Sequence, residues 1–252
     1  MSIRIQKLVF RYRDFSLEVE NLFFESSQVT SIVGPNGAGK TTLLKCAGAI
    51  LPIAKASCFI DGHDLAEMRG RDRARQIGYV PQEHGSTFNY SARDFVVMGR
   101  AGFLSPFSAP SPKDMNLAEE ALEFVGLKNY LQRPYFELSS GERRLVLMAR
   151  ALAQESDILL LDEPTSFLDP RHEIEIMDLA ARLAREKKKT ILITLHNLDL
   201  AAKYSDYMVV MKAGRIFAYG QPGDILNETL LESVYEIKMK IVSFDGTRTI
   251  IR

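Results

Sequence analysis

GPNGAGKTT, at 34–42, has the spacing of a phosphate-binding loop: G-x-x-x-x-G-K-[ST] is met by Gly34, Gly39, Lys40 and Thr41. Glycines let backbone N–H groups curl around phosphate oxygens. A lysine in this place reaches the β- and γ-phosphates, and the threonine hydroxyl suits Mg2+. The plainer reading is a glycine turn between a strand and a helix. DILLLDEP (157–164) sets Asp162 and Glu163 at the end of an apolar run. Ligands bind at the C-terminal edge of open α/β sheets, and a carboxylate there can hold Mg2+, the role that suits Asp162. Glu163 follows directly, so its side chain points away from Asp162. It suits a general base polarising the water that attacks a γ-phosphorus. His196 ends TILITLH, a run of the same kind, and can donate a hydrogen bond to that phosphate and orient Glu163. LSSGE (138–142) poses a different problem, because it opens the helical pattern Leu145, Met148, Ala149, Leu152. Two serines and a glycine at a helix start leave a hydroxyl and backbone N–H groups with no partner in their own segment.

These residues need elements to hold them. VTSIVG (29–34), DILLLDE (157–163), KTILITLH (189–196) and DYMVVMKAG (206–214) are continuous apolar runs, as in strands covered on both faces of a mostly parallel sheet. Helical patterns near 40–50, 140–153 and 172–187 separate several of them, which predicts an α/β core. IRIQKLVFRY and FSLEVENLFFE alternate instead and meet near Arg13–Asp14, which predicts an antiparallel flank near 1–25. Residues 84–135 lack strong strand signals and carry a Pro- and Ser-rich stretch, then a helical pattern from Lys113 to Val125. The expected organisation is a core of 1–82 and 152–252 interrupted by a mostly helical subdomain, 83–151, that carries LSSGE.

Composition excludes several classes. Lys+Arg and Asp+Glu balance at 32 each among 252 residues, so no basic excess supports a nucleic-acid partner. KKK at 187–189 follows a helical pattern, where cations complement the helix dipole. Cys46 and Cys58 lie in apolar surroundings and read as buried thiols of a reducing compartment. MSIRIQKLVF is too charged for a signal peptide. The longest run without Asp, Glu, Lys or Arg, 26–39, is broken by Gly and Pro and falls short of the roughly 18 apolar residues of a membrane span.

Taken together, the motifs resemble the ATP-binding cassette (ABC) ATPases, almost end to end and in the same order. GPNGAGKTT is similar to the Walker A motif, GYVPQ with Gln82 to the Q-loop, and LSSGE to the LSGGQ signature. ILLLDEP is similar to Walker B, SFLD with Asp169 to the D-loop, and LH with His196 to the H-loop. The resemblance implies a P-loop NTPase core that binds ATP and Mg2+. ATP would be held by Gly34, Pro35, Asn36, Gly37, Ala38, Gly39, Lys40, Thr41 and Thr42. Thr41, Gln82 and Asp162 would serve the metal, and Glu163, His196 and Gln82 the hydrolysis. It further implies a head-to-tail homodimer with two ATP molecules at its interface. There Ser139, Ser140, Gly141 and Glu142, with Asp169, cap the nucleotide on the other copy, which would be the missing partner of LSSGE. Ser140 and Glu142 stand where the family pattern has glycine and glutamine. An aromatic just after the first strand stacks on adenine in this family; Tyr12 is the choice, Phe15 the alternate.

FVVMGR (95–100), RALAQESDILLLDEPTSFLD, LHNLDLAAKYSDYMVVMKAGRIFAYGQPGDIL and LLESVYEIK resemble the ATPase subunits of importers for iron chelates, haem and vitamin B12. Such a subunit would lie at the cytoplasmic face of the membrane. It would bind two copies of a permease, which a substrate-binding protein supplies. Phe88, Tyr90, Phe95, Met98, Phe103, Leu104 and Phe107 are the expected permease-docking patch, against the alternative of a small satellite core. Three rivals share parts of the pattern. A soluble ABC ATPase, such as an iron–sulfur cluster assembly partner, would act on a scaffold. A small-molecule kinase would lack LSSGE and His196. A chromosome or repair ATPase would carry long coiled coils or tandem cassettes.

Overall fold

The computed structural model describes residues 1–82, 90–105, 108–244 and 247–251, with the side chains of 243, 244, 247 and 248 left aside. The chain opens with β1 (Ile3–Tyr12), β2 (Phe15–Phe24), β3 (Val29–Val33), α1 (Lys40–Ala47), β4 (Cys58–Ile60) and β5 (His63–Asp64). It continues through α2 (Gly70–Gln76), β6 (Ile77–Val80), α3 (Ala92–Val97), α4 (Pro112–Phe124), α5 (Ser140–Ala153) and β7 (Ile158–Leu161). Then come α6 (Pro170–Lys187), β8 (Thr190–Thr194), α7 (Leu198–Tyr204), β9 (Tyr207–Lys212) and β10 (Arg215–Gly220). α8 (Pro222–Ile225), α9 (Glu228–Tyr235), β11 (Lys240–Phe244) and β12 (Thr247–Ile251) close it. Two compact units result, 1–68 with 180–252, and 69–179.

In the first unit β3 lies between β8 and β9, parallel to both, with Ile32 opposite Thr194 on one side and Val209 on the other. Every residue of β3 and β8 is buried, which is why these strands read as unbroken apolar runs. β1 and β2 form the antiparallel hairpin expected from their alternation, and β1 also pairs with β4. Buried residues along β2 are Leu17 and Val19, then Leu22 and Phe24: the alternation slips by one where Asn21 takes φ +53°. Asparagine tolerates that left-handed turn better than most residues. β10 pairs antiparallel with β9, and β11 with β12. None of β4, β5, β10, β11 and β12 is among the strands expected from the sequence. Cys46 and Cys58 are buried and unpaired, and burial pushes both thiols up to about 12.

The second unit joins the parallel pair β6–β7 to α3, α4 and α5. It therefore takes in β6 and β7 as well as α3, α4 and α5. Helix starts follow local chemistry. Ser111 caps α4 in a reciprocal box with Asp114, with Pro112 as first residue, and Ser139 caps α5 in the same way with Glu142. Arg100 is 4% exposed, and its guanidinium is satisfied by Asp114 at 3.0 Å, Glu155 at 2.8 Å and the Ala153 carbonyl at 2.9 Å. A buried charge needs such company.

In the aromatic stretch, Phe95 departs from expectation. Phe95 is 1% exposed and stacks on Tyr135 with ring centroids 4.2 Å apart. Arg100 covers the Phe103 ring at 4.0 Å. Tyr90 and Leu104 are half-buried, and only Met98 of the described members counts as exposed; Phe88 and Phe107 lie outside the described residues. Phe95 is thus core, as the satellite-core alternative has it, because it faces α5 rather than solvent, while the other described members keep part of their surface exposed. The α/β class with an antiparallel flank and a helical segment is the fold observed. Among the described residues no helix is long and apolar enough to cross a membrane.

Candidate nucleotide-binding and catalytic residues

The loop 34–39 connects β3 to α1, so it leaves a buried parallel strand and feeds its backbone into a helix start. Two of its glycines are required for reasons visible in the fold. A Cβ on Gly34 would strike the Met211 carbonyl of β9. Gly39, at φ +99°, ends the loop in the left-handed region as the residue before α1, and a Cβ there would lie 2.6 Å from Phe15 Cζ. Phe15 is therefore packed on the loop, whereas Tyr12 is 59% exposed, with the Arg13 guanidinium 5.4 Å from its ring centroid. Lys40 is 5% exposed, and its ammonium donates to the carbonyls of Gly34 at 2.9 Å and Pro35 at 3.3 Å. It is thus held at the mouth of its own loop, and an ammonium has three donors to share with a phosphate. Pro35, Asn36, Gly37 and Ala38 form the loop itself, and Thr41 and Thr42 fall in the first turn of α1. His196 is exposed, two residues past β8 and just before Asn197, whose side chain caps α7.

In the second unit Asp162 and Glu163 follow β7, and their carboxylates find different partners. Asp162 is 3% exposed, and the Tyr79 hydroxyl donates to its Oδ2 at 2.9 Å. The Asp162 charge and burial together push the Tyr79 phenol up, burial being the larger cause. Glu163 adopts φ +46°, uncommon for a side-chain-bearing residue, and its Oε2 accepts from Gln82 Nε2 at 2.6 Å and Ser166 Oγ at 3.2 Å. Gln82, expected to serve the metal and the hydrolysis, donates its amide N–H directly to Glu163. Tyr79 and Ser166 were not legible: a partner on the neighbouring strand, or across a turn in a rare backbone conformation, has no spacing rule to reveal it.

At the start of α5 the expectation needs correcting. The Ser139 hydroxyl accepts from the Glu142 N–H at 3.2 Å, and Glu142 Oε2 accepts from the Ser139 N–H at 2.7 Å. The segment therefore satisfies these groups itself, through the residue that replaces the family's glutamine. That backbone bond is the main reason the Glu142 carboxyl sits below its ordinary range. Ser139 and Ser140 remain exposed while Gly141 is buried. Asp169 is exposed; its Oδ1 accepts from the N–H groups of Arg171 and His172, and its Oδ2 lies 2.6 Å from His172 Nδ1.

Comparison with known proteins supplies the family. The model of the ABC transporter family matches residues 17–166, more than half of the chain. The iron(3+)-hydroxamate import ATP-binding protein of Bacillus subtilis is 33% identical over 243 residues, covering 96% of this chain and 90% of that one. The hemin import ATP-binding protein of Myxococcus xanthus is 35% identical over 257 residues, covering 98% and 94%. A metal-chelate type ABC transporter solved in an inward-facing conformation superposes with a TM-score of 0.87 at 26% identity, over 99% of this chain and 96% of that one. A family model that matches more than half of the chain, and relatives above 30% identity matched along nearly all of it, place this protein in the ABC transporter family, as an ATP-binding and ATP-hydrolysing subunit.

Proposed function

We propose that this chain powers the uptake of a metal chelate, such as an iron–siderophore, haem or cobalamin, through a separate membrane permease at the cytoplasmic face of the membrane. The observation that carries this is the nearly end-to-end match to ATP-binding proteins named for iron-hydroxamate and hemin import. The soluble remodelling alternative has no comparable support. Two copies of the chain serve two copies of the permease, which a substrate-binding protein loads.

The proposed cycle assigns a task to each group. Backbone N–H groups of 34–39 and the Lys40 ammonium hold the phosphates of ATP, and Tyr12, free of the packing that engages Phe15, stacks on the base. The donors proposed for Mg2+ are the Thr41 hydroxyl, the Gln82 amide oxygen and the buried Asp162 carboxylate, all hard oxygens of the kind that ion takes beside water and phosphate. When bound, it neutralises charge developing on the phosphates. Glu163 takes the proton of the attacking water and His196 donates to the γ-phosphate. Gln82, bonded to Glu163, links the base to the segment that follows β6. Ser139, Ser140, Gly141 and Glu142, with Asp169, close over the ATP of a second copy, so binding draws two copies together and hydrolysis lets them part.

Two measurements test this. Co-expression with the native permease should yield a membrane complex whose ATP hydrolysis accompanies uptake of a metal chelate; purification with soluble partners and no uptake would remove the transport reading. Glu163→Gln should lower the hydrolysis rate by at least about 100-fold while retaining ATP binding, and should trap an ATP-dependent dimer on size-exclusion chromatography. Hydrolysis at the parental rate would take Glu163 out of the chemistry.

A further inference from the structure

We infer that His172, in the first turn of α6, is a positioning residue that sets the signature helix against the loop carrying the catalytic base. The inference rests on the reading above, in which the start of α5 caps a nucleotide held by a second copy. A Cβ built on Gly141 would lie 2.8 Å from both Cγ and Nε2 of His172, and closer still to Cδ2. The imidazole therefore lies against the α-carbon of Gly141. Gly141 is not among the residues of positive φ, so its backbone does not itself require glycine. What excludes a side chain there, within this chain, is the ring.

The ring is not a loose surface group that a methyl would displace at no cost. Its Nδ1 is 2.6 Å from Asp169 Oδ2, while Asp169 Oδ1 takes the His172 backbone N–H at 3.1 Å. The imidazole is thus held at both its backbone and its ring by one carboxylate. The hydrogen bond from His172 is also the main cause of the lowered Asp169 carboxyl pKa. From Asp169 the chain runs back through Leu168, whose N–H bonds the Thr165 carbonyl at 3.4 Å, to Ser166, which bonds Glu163 at 3.2 Å. One short loop therefore joins the base to the ring, and the ring to the second residue of α5. His172 makes the place of the cap depend on the place of the base's loop.

The experiment is a double-mutant cycle in the full-length chain, read by the Michaelis constant and turnover for ATP and by ATP-dependent dimerisation in the Glu163→Gln background. Binding of a fluorescent ATP analogue by dilute, monomeric protein reports whether each variant is folded with its own phosphate loop intact. His172→Ala should leave that binding within about twofold, lower turnover about 10-fold and weaken dimerisation to a similar degree. His172→Asn, which keeps a donor toward Asp169, should recover a substantial part of the loss. Gly141→Ala should lower turnover at least about 10-fold more with His172 present than when His172 is already alanine, because the methyl then enters the space of the ring. If Gly141→Ala costs the same factor in both backgrounds, or if His172→Ala dimerises and turns over like the parent, the inference is wrong. If His172→Ala fails to bind the analogue, the cycle is run with His172→Asn, and equal factors overturn the inference there too. Failure of Glu163→Gln to dimerise with His172 intact would instead defeat the reading on which the inference rests.

Discussion

Glu142 shows how one substitution changes a site without removing it. Its carboxylate accepts the Ser139 N–H and so occupies the end of α5 where the proposal puts a γ-phosphate. Two anions near one helix start repel, even though each alone is favoured there. Glu142→Gln keeps an acceptor for the Ser139 N–H and removes the charge. The expected result is an ATP-dependent dimer of the Glu163→Gln protein that forms at several-fold lower ATP concentration, with α5 losing about 0.5 kcal/mol of dipole stabilisation. Light scattering across an ATP titration checks this, and an unchanged midpoint would show that Glu142 lies clear of the nucleotide.

Among the elements, α4 carries the clearest dependence on pH. Asp114 caps the helix through Ser111 and pairs with the buried Arg100. Its bonds to Ser111 are the largest cause, with Arg100 next, holding its carboxyl at about 2 against an ordinary 3.8. A carboxyl depressed in the folded state contributes stability that is complete above its unfolded value, here about pH 4, and is lost as pH falls toward 2. The Asp114→Asn variant should therefore be less stable than the parent at pH 7, and the gap should narrow between about pH 4 and pH 2. Urea unfolding midpoints at a series of pH values measure it; a constant gap would mean the charge contributes nothing. Helices such as α4 were legible because their signal is local, a helical pattern along contiguous residues; the cap of Ser111, Pro112 and Asp114 came with the structure. The expected span from Lys113 to Val125 differs by one residue at each end from the observed Pro112–Phe124. The aromatic stretch was not legible in the same way, since an aromatic-rich segment looks alike whether it faces solvent or, as Phe95 does through Arg150 of α5, a helix distant in sequence.

For the molecule as a whole, Phe167 is the feature that the isolated chain leaves without a use. It is 82% exposed and holds φ +64°, a conformation that costs a bulky residue about 1 kcal/mol or more. It projects from the loop between Glu163 and Asp169, the segment proposed to meet a second copy. Phe167→Ser should leave the melting temperature of the monomer nearly unchanged. It should weaken the ATP-dependent dimer about 10-fold, as loss of an aromatic anchor does at an interface. Sedimentation of the Glu163→Gln protein with and without the change decides it: equal dimer constants would leave Phe167 outside the contact.

The sequence alone determined the class of the fold, the family and the phosphate loop, and it singled out the acid pair and the start of α5 as candidates. Those depend on periodicity and on contiguous residues, and a contiguous motif carries its own geometry. Only the tertiary structure decided which partners these residues take: Tyr79 on Asp162, Gln82 and Ser166 on Glu163, the Phe15 ring over Gly39, and the His172 ring against Gly141. Each of these, apart from the Ser166 turn, joins segments that are not contiguous in the chain. A hydrogen bond or a ring contact between such segments exists only once the backbone has brought them within a few ångströms, a condition that no spacing in the chain records.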